Sequence, residues 1–258
     1  VDRSKNDVPE MPENGFVLGP QGPAARVGLI DVDVEYSGDE VPRWVPLFVL
    51  TMGPSLYHMS LQLVLQYFGL DEKAVRIGKD SLDIVFDDGT PAVTIPLAEG
   101  QLLEANWFSR WENPTLNPRH SFAEIINAMV AYSSDDAEQR KLAKEIFAEF
   151  SNAIVLIGPT DVLLQDLAPT PFDAQPVPKV GLHGNLVKTI LAEKVLTRVP
   201  EWGMWLAAFA LTLIVSALAV AGGVRSLLAK SVAVIAVAGY AYVAFHLFAH
   251  SNLVLPMA

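Results

Sequence analysis

The sequence predicts an α/β domain, a mixed sheet covered by helices, followed by an α-helical transmembrane hairpin and the start of a third span. Three observations carry that expectation. Short segments of period-two hydrophobicity, separated by Gly, Pro and Asp turns, read as strands. Capped amphipathic segments of period 3.6 lie among them. The C-terminal part then changes character: from Trp202 onward there is no acidic residue, and Arg225 and Lys230 are the only Lys or Arg. The net charge of −11 is therefore −13 over residues 1–201 and +2 over the tail.

Residues 1–25 are polar and rich in Pro and Gly, as in a linker or a truncated N-terminal part, and Val1 fits an interior piece of a longer polypeptide. RVGLIDVDVEYSG (26–38) alternates, with Asp31, Asp33 and Glu35 on one face and Val32, Val34 and Tyr36 on the other, which predicts a half-buried strand. Three carboxylates at period two raise calcium as one reading. A strand sets them in a row where a calcium cage needs convergence, which favours a solvated face. DEVPRWVPLFV (39–49) follows as a second strand, hairpinned through residues 37–40; Pro42 and Pro46 mark it as an edge, and Arg43 is its one cation.

PSLYHMSLQLVLQYFGL (54–70) reads as a helix opened by Ser55, with Leu61, Val64, Leu65 and Phe68 inward and Gly69 as its stop. His58 lies early in it. SLDIVFDDGTPAVTIPLAEGQLLEANWF (81–108) reads as strand, Asp-Asp-Gly turn, strand, turn, strand. Ser121 and Glu124 form a capping box before the helix at 121–132, and an acid-led helix occupies 135–150. AIVLIG (153–158) has no polar residue from 153 to 157, predicting a strand buried on both faces. DLAPTPFD (166–173) is a turn, and LHGNLVKTILAEKVLTRVP (182–200) a last helix with Leu186, Ile190 and Leu191 inward.

Two apolar runs, about 202–224 and 231–249, each reach the ~20 residues that cross a hydrocarbon core of about 30 Å as a helix. The alternative, buried helices of a large soluble protein, calls for a polar stripe that neither run shows. Arg225 and Lys230 in the loop between them place that loop in the cytoplasm and residues 1–201 outside. Trp202 and Trp205 suit an interfacial belt, His246 lies near the outer headgroups, and HSNLVLPMA begins a third span that is cut at Ala258. The absence of cysteine permits an extracytoplasmic location without requiring it, and the acidic excess excludes nucleic acid as a partner.

Catalytic signatures are missing. GPTDVLLQD offers one glycine and then a proline that deletes a backbone donor, so it is no phosphate loop. There is no G-x-S-x-G elbow and no cysteine nucleophile. His58, His120 and His183 are expected to have no His–carboxylate partner at helical spacing, so no metal site is expected, and no cofactor is implied.

The order of elements carries more. IVLIGPT, then Asp166-Leu167, then Thr170-Pro171-Phe172, then VGLHGNLVKTIL and the entry at Pro200-Glu201-Trp202 resemble the second type of CHASE domain (cyclase/histidine-kinase-associated sensory extracellular). That family typically shows "vliG", "gD", "TPf" and "pGveiHAn" in this order before three membrane helices. Gly181, His183 and Asn185 match, while Gly184 stands in place of the usual alanine. GLIDVDVEYSGDEVPRWVPLF and PSLYHMSLQLVLQYFGL resemble the family's strand, "d-dg-R-vPl" strand and "yPSLaLq" helix, so the resemblance runs from residue 26 to 258. The family's first strand and its "wPw-R" helix have no counterpart here.

The resemblance implies a bacterial, multi-pass membrane sensor, extracytoplasmic or periplasmic over residues 26–201 and membrane-embedded over 202–258. It implies no enzyme activity, an unknown small-molecule or environmental stimulus, contact with the lipid bilayer, a homodimer, and a cytoplasmic cyclase or kinase output. Arg43, Asp166, Thr170, His183 and Asn185 are the candidate ligand-binding or signal-relay residues. Plainer roles stand beside that one: Asp166 caps the turn before Thr170-Pro171, Thr170 is held extended by Pro171, and His183 and Asn185 make helix-start hydrogen bonds. A membrane-anchored periplasmic enzyme or solute-binding protein is the alternative function.

Overall fold

The computed structural model describes residues 28–30, 41–50, 55–219 and 224–255. The linker at 1–25, the acidic row of Asp31, Asp33 and Glu35, and the hairpin at 37–40 lie outside the described residues.

The fold is mixed α/β, as expected, but its strand pairing is divided among small sheets. The Asp-Asp-Gly hairpin forms as read: β5 (Ser81–Val85) and β6 (Pro91–Pro96) pair antiparallel around Gly89 at φ +83°, a conformation that favours glycine. β4 (Val75–Ile77) extends this sheet to three strands. β1 (Trp44–Pro46) pairs antiparallel with β7 (Leu102–Glu104), placing Trp44 opposite Glu104. Pro46 is tolerated because, among the described residues, β1 has a single partner strand. β2 (Phe48–Val49) pairs with β3 (Leu56–Tyr57), and β8 (Leu167–Ala168) with β9 (Val177–Pro178).

Ser55 does not open the first helix. Residues 56 and 57 belong to β3, tied to Leu29 by the Leu29 N–H to the Tyr57 carbonyl (2.9 Å), so α1 (Met59–Tyr67) starts later. Its cap is His58, whose Nδ1 accepts from the Ser60 N–H at 3.1 Å. Gly69, at φ +69°, follows its end as expected. α4 (Val180–Leu191) packs on α1, and α4 also meets β6. Leu61 and Leu65 of α1, Leu182, Leu186 and Ile190 of α4, and Ile84, Ile95 and Leu103 from the strands make one buried core. Each such side chain contributes roughly 1.5–3 kcal/mol of burial free energy.

α2 (Phe122–Tyr132) and α3 (Ala137–Ala148) form as read, capped by Ser121, whose Oγ accepts from the Glu124 N–H, and by Asp136. They do not cover the sheet. They pack on one another as a helical hairpin, leaving Phe122, Met129 and Val130 exposed. His120 joins them, 3.3 Å from Glu124 one turn on and 3.1 Å from Glu149. The i,i+4 placement of His120 and Glu124 corrects the expectation that His120 has no such partner, while the contact with Glu149 links the start of α2 to the end of α3.

A second correction concerns AIVLIG. Among the described residues, 153–160 belong to no strand and no backbone hydrogen bond involves them. Ile154, Leu156 and Gly158 are half-buried while Val155 and Ile157 face outward, Ile157 at 83% exposure. An unbroken apolar run does not report burial on both faces when nothing described covers the second one.

After α4 the chain enters α5 (Glu201–Ala219) through β10 (Thr197–Arg198), then α6 (Val224–Ser251). α5 and α6 pack together. Within α6, Lys230–Ser251 is long and apolar enough to cross a membrane; the apolar stretch of α5 among the described residues, Trp205–Ala217, is shorter. Where a third span was expected to begin, Leu253–Val254 forms β11, parallel to β10.

Candidate functional site

The candidate residues converge on α4, and the helix sorts them onto two faces. Positions 183 and 185 are two apart, roughly 200° around a helix, so His183 and Asn185 look in different directions. Both sit inside the helix and both are buried, which replaces the expectation of helix-start hydrogen bonds. The actual N-cap is Lys179, which has no side-chain capping bond.

His183 faces α1. Its ring lies 5.5 Å from that of His58, centroid to centroid, and the Ser60 hydroxyl reaches the His183 carbonyl at 3.5 Å. His58 is fully buried and His183 nearly so. Because His58 Nδ1 accepts a bond, its neutral form carries the proton on Nε2, and that N–H has no partner among the described residues; His183 Nδ1 is likewise unpartnered there. Burial, reinforced by the neighbouring His183, pushes His58 down to about 3. His183 is also lowered, chiefly by burial, with Asp166 opposing and Lys179 adding. The seam is thus built for two neutral imidazoles.

Asn185 faces the other way, donating from Nδ2 to the Gly181 carbonyl at 3.1 Å and lining a cavity of about 10 Å³ with Trp107, Trp111, Thr170 and Asp173. The space is that of about one water, and the buried indole N–H of Trp107 has no acceptor among the described residues. Thr170 is the centre of the adjoining turn: its hydroxyl donates to Asp173 Oδ2 at 2.7 Å and its Oγ1 accepts from the Asp173 N–H at 2.9 Å. Asp173 also accepts from the Trp111 N–H, at 3.2 Å, pinning the loop after β7 to the turn before α4.

Asp173, not Asp166, therefore holds the Thr-Pro-Phe turn. Asp166 pairs with Lys179 at 3.7 Å, and its carbonyl accepts the Lys179 N–H. Arg43 stands apart, just before β1, with its carbonyl accepting the Ala105 N–H. The structure brings Thr170 and Asn185 to one cavity, sets Asp166 where its charge reaches His183, and leaves Arg43 beside the start of β1. Sequence reasoning missed His58, Trp111 and Asp173. For Asp173 the signal was present, as Thr-x-x-Asp is a hydroxyl-to-backbone turn pattern; for Trp111 only the fold brings it to α4.

The glycines of the motifs are packing glycines. A Cβ on Gly158 would lie 2.7 Å from Val180 Cβ, and one on Gly181 2.8 Å from the Trp111 ring. A Cβ on Gly184 would sit 3.4 Å from Leu156 Cδ1, an ordinary contact. A second concavity is an open groove of about 700 Å³ beside Asp71, Lys73, Arg76 and Asp87, whose charges are of both signs and which contains none of the candidate residues.

The motifs on which the resemblance rested, IVLIGPT, the Thr-Pro-Phe turn and the His-x-Asn segment, meet at α4, ahead of the apolar helices. The chain matches the sequence model of the CHASE2 domain over residues 3–223. It belongs to the CHASE2 domain family. The match takes in residues 3–25, read above as a linker, and ends before the candidate span in α6. No curated protein and no solved structure matches the chain significantly. CHASE2 domains are sensory extracellular domains of membrane proteins, and among the described residues this chain has one helix long and apolar enough to span a bilayer.

Proposed function

We propose that this CHASE2 chain is the extracytoplasmic input module of a transmembrane signalling protein and relays a small-molecule or environmental stimulus to a cytoplasmic cyclase or kinase. The observation that carries the reading is continuity: the domain's last helix, α4, leads through one short strand into α5 and α6. α6 shows Val234, Ile235, Tyr242 and Phe245 to its surroundings, each more than 60% exposed, which suits lipid and costs free energy in water. In this reading α5 and α6 form a two-span hairpin, the loop with Arg225 and Lys230 is cytoplasmic, and the protein works as a homodimer. The module itself is not catalytic.

Relay is assigned to the α4 surroundings, with Thr170, Asp166 and His183 as its first mutational targets and Asn185 and Arg43 as further ones. A stimulus that binds one packing of α4 better than another shifts the population of the membrane helices. In the full-length protein, Thr170→Ala, Asp166→Asn and His183→Asn are expected to change basal or stimulated output at least about threefold, corresponding to ~0.7 kcal/mol of coupling. Output unchanged in all three contradicts the assignment. A cyclase or kinase signature in the reading frame beyond Ala258 supports the relay, and a stop codon soon after a third span contradicts it.

A further inference from the structure

Arg198 lies in β10, between the sensor and the first residue of α5. Its guanidinium makes two hydrogen bonds to one carboxylate, Nε to Glu104 Oε2 at 2.8 Å and Nη2 to Glu104 Oε1 at 2.6 Å. The guanidinium also lies over the Trp44 ring, 5.1 Å from the centroid. Trp44 and Glu104 are directly opposed across the β1–β7 pair, and the next residues inward, Val45 and Leu103, are fully buried in the core. The grip therefore fastens to the rigid part of the sensor. Glu104 is only 4% exposed, and a carboxylate so placed is costly without its partner.

The same residue is fastened on the membrane side. Arg198 pairs in register with Val254 of β11; the Thr197 N–H donates to the Asn252 carbonyl at 3.0 Å and the Val199 N–H to the Val254 carbonyl at 3.3 Å. β11 follows the end of α6, so β10 and β11 tie the entry of α5 to the exit of α6. One residue thus has its side chain in the sensor and its backbone in the clasp that joins both apolar helices. Earlier in the linker, Val195 packs in the core and the Lys194 carbonyl accepts from Asn106. Arg198 is the last hydrogen-bonded side chain before α5.

We infer that Arg198 is the positioning residue that couples the sensor domain to the membrane helix pair, with Glu104 and Trp44 as its socket. The inference rests on the sensory reading for its meaning and on the geometry above for its existence. Arg suits the role because its planar fork satisfies both carboxylate oxygens while stacking on an aromatic face; a lysine ammonium supplies charge without the fork.

The test uses the chain in lipid bilayers. It has no cysteine, so cysteines at Gln66, exposed near the end of α1, and Phe245, exposed on α6, carry the only spin labels. The unaltered junction is expected to give one narrow distance distribution. Arg198→Lys and Glu104→Gln, which keep the side-chain size and strand no buried charge, are expected to broaden it at least twofold, with the thermal unfolding of the sensor core little changed. A distribution that stays narrow in both variants overturns the inference. Topology is read by separate labelling, so a wrong membrane assignment and a wrong coupling residue fail in different experiments.

Discussion

At the scale of single residues, the side chains around α4 act by filling or refusing space. Gly181 has a tryptophan ring where its Cβ would go, so Gly181→Ala is expected to destabilise the fold by about 1–3 kcal/mol, the range for overpacking. Gly184, one turn from the same helix start, has room. Gly184→Ala, which restores the residue usual in the family, is expected to raise stability by roughly 0.5–1 kcal/mol through helix propensity. Thermal unfolding of the pair of variants reads both signs. The His58–His183 seam gives a pH signature. His58 is neutral in the fold, with a value of about 3 against 6.5 when unfolded, so between those limits the unfolded chain binds the extra proton. Stability is therefore complete above pH 6.5 and declines as pH falls toward 3; at pH 5 the His58 share of the loss is about 2 kcal/mol. Protonating Nδ1 also removes the acceptor that caps α1. The opposing groups are His183 from α4, with Asp166 and Lys179 beside it. His58→Asn, which retains a capping side chain, is expected to flatten the decline between pH 5 and 6.5, and an unchanged slope contradicts the assignment.

At the scale of elements, what was legible in the sequence was what local chemistry decides. The β5–β6 hairpin, the Ser121 cap of α2, the Gly69 stop after α1 and the inward stripe of Leu186 and Ile190 all follow from turn residues, caps and periodicity, and all stand where expected. What tertiary context decides was not legible. His58 displaced Ser55 as the cap because residues 56–57 were claimed by a strand pair. AIVLIG has the composition of a central strand, yet only alternate residues meet α4, since strand partners are set by distant segments that composition does not name. Of the site, Thr170, His183 and Asn185 were visible through the family motif, whereas their division between a histidine seam and a tryptophan-lined cavity needed the helix. Ile157→Lys separates the two accounts of that segment. On an outward face it is expected to cost within about 0.5 kcal/mol; a loss of several kcal/mol in the unfolding free energy restores the buried strand.

At the scale of the molecule, charge and hydropathy divide the chain at the same place where the fold changes. The mixed domain carries the acidic excess, the helices after Trp202 carry none of it, and β10 with β11 closes the junction between them. The linker that Arg198 fastens to Glu104 leads from α4 and the β1–β7 sheet into α5. All of it presupposes that the acidic domain stands outside the cell, which one labelling measurement decides. In the cysteine-free background, a single cysteine replacing exposed Ser133 after α2 is treated in intact cells with a membrane-impermeant maleimide. The account predicts labelling in intact cells equal to that after lysis; labelling that occurs only after lysis contradicts it.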